Sequence, residues 1–281
     1  MKKLMMMAAT MMIVTNVAFA GLFGGGSGKL IQLKGSDTIL NLGQAVAEEA
    51  MKNDKSLRVA VTGGGSGTGI AALLNKTVDI AQASREIEPK EYEQAKNVGL
   101  VPKEITVAYD GITIIVNKKN GVTNLTTAQL RSIFIGEISN WKELGGADKK
   151  IVVLSRDTSS GTHLFFKEHI LRNGKSKGPE EYRKDALFLP SSEAIVSEVE
   201  KNDGAIGYIG MGYMDNSVKD ITVNGVEATV ANVFSKKYPI SRGLYWYTNG
   251  EPKGDVKKLV DFILSPKGQA IVKKEGFVPV K

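Results

Sequence analysis

Short strand-period segments alternate with single helix-period segments from Lys29 onward, which predicts an α/β fold with mostly parallel sheets. Leu57, Val59 and Val61 alternate with Arg58 and Ala60, the period of a strand. Ile39, Leu42, Val46 and Ala50 recur at helical spacing instead. Further strands are expected at Leu30–Leu33, Val78–Ala83, Ile105–Tyr109, Gly111–Val116, Ile151–Leu154, Ala205–Ile209 and Gly243–Tyr247. Helices are expected at Thr68–Asn75, Pro89–Asn97, Thr127–Phe134, Thr162–Leu171, Ser192–Lys201 and Asp255–Leu264.

Two stretches read as crossings between lobes. One is Tyr109-Asp110-Gly111, leading into Ile112–Val116; the other runs from Tyr238 to Gly243. If both cross, residues 29–111 with 243–281 form one lobe and 112–242 the other, with a ligand cleft between them.

The ends and the composition narrow the function. Lys2 and Lys3, an apolar run from Leu4 to Phe19 and the small-residue ending Ala18-Phe19-Ala20 have the layout of a cleavable signal peptide over residues 1–20. Residues 21–28 (GLFGGGSG) read as a flexible leader. Such a protein is exported to the periplasm. With no cysteine it has no disulfide, no thiolate metal site and no lipidated cysteine to tether it. The formal charge is +7; seven less the two signal lysines leaves +5 on the mature part, with acids and bases mixed. No block of like charge supports a nucleic-acid partner.

The chemistry is expected where Ser, Thr and Gly cluster. Gly35-Ser36-Asp37-Thr38, Gly63 to Gly69 and Ser159-Ser160-Gly161-Thr162 each follow a predicted strand and precede a predicted helix. Each brings unpaired backbone N–H groups, small hydroxyls and a positive helix end to one point, which suits an anion. The same residues are also ordinary N-caps, so one cluster alone says little. Three of them, with Arg156 just before the third, favour a tetrahedral anion gripped by a planar guanidinium. Ser84 and Arg85, at another strand end, offer a hydroxyl and a second guanidinium.

Competing motifs fail. The Gly63–Gly69 run lacks both a P-loop ending and the G-x-G-x-x-G spacing, and the residues around Ser66 lack the last glycine of a G-x-S-x-G elbow. His163 follows Ser160 by three residues, but a helix N-terminus is a poor place for an imidazolium. Serine-hydrolase chemistry is therefore disfavoured. His163 and His169 are the only histidines, and their spacing gives no metal site.

The segments GSDTILNLGQ (35–44), TGGGSGTGI (62–70), DIAQASREI (79–87), SRDTSSGTH (155–163) and AIGYIGMGY (205–213) together resemble the phosphate-binding proteins of bacterial phosphate ABC transporters. LTTAQLRSIFIGEISNWKELGG (125–146), PISRGLYWYT (239–248) and FILSPKGQAIV (262–272) extend the resemblance over nearly the whole mature chain. It implies a two-lobed periplasmic binding protein fold of type II, with mixed sheets flanked by helices. It implies inorganic phosphate and the membrane subunits of an ABC importer as partners, a monomer, no cofactor, and no enzymatic activity. Sulfate, molybdate and tungstate binders are the nearest alternatives, and a surface or sensory role on the same scaffold is another.

Carried over motif by motif, the resemblance assigns Ser36, Asp37, Thr38 and Ser66 from the first lobe and Arg156, Ser160, Gly161 and Thr162 from the second, and Ser84 and Arg85 join the candidates from their place at a strand end. One departure stands out: Arg85 occupies the place where the best-known branch carries an aspartate that accepts the phosphate proton. Another carboxylate must then take that role. Asp37 is the first candidate, with a plain N-cap as its alternative; Asp157 is the second, although orienting Arg156 suits it better.

Overall fold

The computed structural model describes residues 29–280, so the expected signal peptide and leader lie outside the described residues. In chain order its elements are β1 (Leu30–Gly35), α1 (Leu40–Asn53), β2 (Arg58–Thr62), α2 (Ser66–Leu74), β3 (Ile80–Ala83), α3 (Pro89–Asn97) and β4 (Pro102–Val116). There follow β5 (Asn124–Leu125), α4 (Thr127–Ile135), β6 (Val152–Arg156), α5 (Gly161–Phe166), β7 (Leu187–Leu189) and α6 (Ser192–Lys201). The chain ends with β8 (Ala205–Gly210), β9 (Lys219–Val223), α7 (Val230–Phe234), β10 (Ser241–Asn249), α8 (Gly254–Leu264) and α9 (Pro266–Lys274).

Local chemistry accounts for the sharper boundaries. Pro89 opens α3, where its missing N–H costs nothing, and Glu88 and Glu91 cap each other's backbone. Thr126 and Gln129 do the same for α4, which stops at Gly136 in the left-handed conformation. Gly35 has φ +141°, and a Cβ there would lie 2.1 Å from the Gln82 carbonyl, so β1 approaches β3 as only glycine permits.

The strands lie in the order β2-β1-β3-β10-β4-β8-β6-β7, with β9 also on β4 and β5 on β9. Pairing is parallel for β1 with β2 and β3, and for β6 with β7 and β8. It is antiparallel wherever β4 and β10 meet their neighbours. The sheet is therefore mixed rather than mostly parallel, because one strand carries the chain out of the first half and another carries it back.

β4 also joins the two strands expected at Ile105–Tyr109 and Gly111–Val116 into one of fifteen residues. Its first part pairs with β10 and its last part with β8 and β9. Two large cores result. One draws on Ile31 to Ala108 and Leu244 to Phe277, the other on Ile112 to Ile240. Val278 also packs into the second core, because Tyr109 and Val278 exchange both backbone hydrogen bonds where the halves meet. The segment Ile112–Val116 is buried on both faces, as a strand covered on two sides requires.

Candidate functional site

The three clusters read from the sequence lie against one another. Gly65 N–H donates to the Gly35 carbonyl at 2.9 Å, and Gly67 N–H donates to the Ser159 carbonyl at 3.0 Å. Ser159 Oγ also lies 3.1 Å from the Gly64 carbonyl, although its proton goes to the nearer Asp157 carboxylate. A Cβ on Gly65 would sit 2.4 Å from Ser159 Oγ, so glycine is what lets these loops touch.

Inside this junction four hydroxyls form a chain. Thr38 Oγ1 lies 2.7 Å from Thr162 Oγ1, Thr162 Oγ1 lies 3.5 Å from Ser84 Oγ, and Ser84 Oγ lies 3.3 Å from Ser66 Oγ. All four residues are buried. Ser66 Oγ accepts from the Ser84 N–H at 3.0 Å, which turns its proton toward the cluster. Ser160 caps α5 by accepting from the His163 N–H, and Gly161 begins that helix. Ser36 Oγ and Arg156 Nε are buried and have no hydrogen-bond partner among the described residues.

Arg156 ends β6 at 1% exposure and donates to Ser192 Oγ (3.1 Å) and the Pro190 carbonyl (2.7 Å). Its Nη2 is 3.1 Å from Asp37 Oδ2, which also accepts the Ser192 N–H at 3.0 Å. Asp37 is thus no plain N-cap, since its carboxylate reaches across to α6. Burial raises its pKa, and the Arg156 guanidinium opposes that rise.

Two expectations fail on geometry. Asp157 does not orient Arg156: its Oδ1 accepts Ser159 N–H, Ser159 Oγ–H and Ser160 N–H, closing the turn before α5. Arg85 does not join the hydroxyl cluster either. Both ends of its guanidinium are taken by Glu91 at 2.8 Å, with the Glu86 carbonyl on Nη1. A strand-end arginine six residues before a helical glutamate finds that partner first.

Sequence reasoning also missed two members. Arg242 and Asp110 were read only as parts of the crossings, yet both are buried beside Thr162. Arg242 donates to Asp110 Oδ2 from Nε (3.0 Å) and Nη2 (2.7 Å), to the Ser84 carbonyl (2.8 Å) and to Thr162 Oγ1 (2.9 Å). Burial pushes the Asp110 carboxyl above its ordinary range and the Arg242 guanidinium below its own, and their mutual attraction works against both shifts. The only available signal was the adjacency of each to a glycine in a crossing strand. With Arg156–Asp37, the site holds two arginines and two aspartates, and its ionic charge balances.

Behind Arg156, His163 Nδ1 meets the Arg156 carbonyl at 2.9 Å and Ser155 Oγ at 3.3 Å. Burial pulls its pKa down to about 4, so the ring is neutral near pH 7. Ser155, Tyr208 and Tyr182 continue the network by hydroxyl contacts of 2.7 and 2.8 Å, and Tyr182 donates to the His163 carbonyl. This ties the end of β6 to the first turn of α5, fixing Arg156 relative to Ser160, Gly161 and Thr162. The Ser155–His163 contact is a structural strut, since the serine is wholly buried behind Tyr208.

Known proteins share this arrangement of elements. The profile of the PBP superfamily domain matches residues 24–267. The phosphate-binding protein PstS of Borreliella burgdorferi is 32% identical over 90% of this chain and 91% of its own. That of Bacillus subtilis is 32% identical over 89% and 80%. Among solved structures, a Clostridium perfringens chain assigned as a phosphate ABC transporter substrate-binding protein, with phosphate bound, is 37% identical. It superposes with a TM-score of 0.83 over 90% of this chain and all of its own. An ABC-type phosphate transport receptor from Vibrio cholerae is 31% identical, with a TM-score of 0.73 over 88% and 99%. With a superfamily profile over most of its length and relatives matched almost end to end, the chain belongs to the PstS-like family of phosphate-binding proteins, two-lobed α/β proteins of the PBP superfamily.

Proposed function

We propose that this protein binds one inorganic phosphate ion between its two lobes, 29–111 with 243–281 and 112–242, and delivers it to the membrane subunits of an ABC importer. The observation that carries the reading is the Thr38–Thr162 contact, which joins helix starts 124 residues apart, together with two buried donors, Ser36 Oγ and Arg156 Nε, that have no partner among the described residues. A buried donor without an acceptor costs about 1–3 kcal/mol, and an oxyanion offers acceptors to several at once. Phosphate-bound and phosphate-named relatives favour phosphate over other tetrahedral anions.

The ligands in this reading are Ser36, Asp37, Thr38, Ser66, Ser84, Arg156, Ser160, Gly161 and Thr162. Function is capture without turnover: the neutral His163 is engaged by backbone and buried hydroxyl groups and faces no accessible nucleophile. The signal-like N-terminus supports a periplasmic protein, the absence of cysteine argues against a lipid anchor, and a monomer suits a diffusing carrier. Titration calorimetry on the mature protein is expected to show saturation near one phosphate per chain. Saturable heat with sulfate or molybdate, and none with phosphate, would overturn the reading.

Selectivity is assigned to Asp37. Near neutral pH phosphate keeps a proton that a carboxylate can accept, whereas sulfate has none and is repelled across a dry gap. Asp37→Asn is expected to narrow the phosphate-over-sulfate preference in competition titrations. An unchanged preference in a folded variant moves the proton acceptor to another group.

A further inference from the structure

β4 and β10 run side by side where the chain passes between the two halves, and Asp110 and Arg242 are register partners there. Their side chains are 0% and 2% exposed. One guanidinium bonds three parts of the molecule at once: Asp110 on the crossing strand, the Ser84 carbonyl at the end of β3 in one half, and Thr162 Oγ1 on α5 in the other. The far carboxylate oxygen, Asp110 Oδ1, accepts the Met211 N–H at 3.0 Å, so the aspartate is itself held from the second half.

Hydrogen-bond polarity gives this arrangement a consequence. A guanidinium has donors only, so Thr162 Oγ1 must accept from Arg242. Its single proton is then directed elsewhere, toward Thr38 Oγ1 at 2.7 Å or toward an anion oxygen in the same place. Without Arg242 the Thr162 hydroxyl is free to turn and accept, which suits an oxyanion poorly. Because Arg242 bonds Ser84 in one half and Thr162 in the other, the same residue ties the two halves together.

We propose that Arg242, positioned by Asp110, is a further affinity determinant of the anion site, acting by fixing Thr162 as a donor and bridging the closed halves. The inference rests on the phosphate reading above. Inorganic phosphate should be titrated into the mature wild-type protein, Arg242→Gln, Thr162→Val and the double variant.

Arg242→Gln is expected to weaken binding about tenfold or more in the wild-type background, the scale of one charged hydrogen bond. In the Thr162→Val background the same change is expected to cost less than about threefold, because the group through which it acts is gone. Equal losses in the two backgrounds, or no loss in either, overturn the proposal. Should Arg242→Gln not fold, Arg242→Lys keeps a cation opposite Asp110 and carries the same cycle. Lysine has no fork with which to reach Ser84 and Thr162 together, so an intermediate loss that shrinks with Thr162→Val is expected. Wild-type affinity in a folded Arg242→Lys protein contradicts the proposal alone. Failure of the wild-type protein to bind phosphate refutes the phosphate reading itself.

Discussion

Arg156→Ala is expected to weaken phosphate binding by about 30-fold to several thousandfold in calorimetry, the equivalent of about 2–5 kcal/mol for a buried charged hydrogen-bond partner. Arg156 is fixed from three sides by Asp37, Ser192 and Pro190, yet its Nε has no partner among the described residues. Removing it withdraws the donor and leaves Asp37 facing the anion uncompensated. Arg85→Ala is the informative comparison. Its guanidinium is occupied by Glu91, so this variant is expected to lose thermal stability, with Glu91 left buried without its counter-charge, and to change affinity by less than about tenfold. A larger affinity loss at Arg85 than at Arg156 would show that the anchor has been misplaced.

Gly161→Ala is expected to abolish tight binding while leaving the protein folded. Its backbone is ordinary helix at the start of α5, where alanine is favoured over glycine. The added Cβ, however, would lie 2.3 Å from Ser66 Oγ and 2.9 Å from both Ser66 Cβ and Ser84 Oγ. These belong to the opposite half, so the clash falls between the halves rather than inside the core of either. Forcing one extra carbon into such a contact costs about 1–3 kcal/mol or more, up to roughly a hundredfold in affinity. Thermal melting should be unchanged or slightly raised without phosphate, and the stabilisation by added phosphate should fall by about 1–3 kcal/mol. A variant that binds as tightly as wild type would mean that Ser66, Ser84 and Gly161 do not close together around the ligand.

The limits of sequence reading follow from physical range. α3 and α6 were bounded correctly because their starts are set by local capping groups, Glu88–Pro89 and Ser191. β4 was read as two strands because Tyr109-Asp110-Gly111 reads as a crossing between lobes, and pairing first with β10 and then with β8 carries one strand through it. The helix α9 went unread: it carries Gly268, a poor helix former, where any Cβ would lie 2.1 Å from the Phe262 carbonyl.

At the site, the Ser, Thr and Gly clusters were legible because each sits at a strand-to-helix junction, a local feature. Asp110 was not, and although Asp37 was read as a site residue, its partner was not. Asp37 meets a partner 155 positions away and Asp110 one 132 away, distances over which no spacing rule operates. Asp157, adjacent to Arg156 in sequence, instead folds back onto its own turn.

Identification of the anion carried by the native protein tests the central claim most directly. The mature protein should be purified from phosphate-replete cells in buffers free of phosphate and sulfate, and denatured. The released anions should then be quantified by ion chromatography and compared with those from Arg156→Ala. The account predicts close to one phosphate per chain from wild type and little from the variant. Sulfate or molybdate in its place, or an anion-free protein that takes up no phosphate when it is supplied, would contradict it.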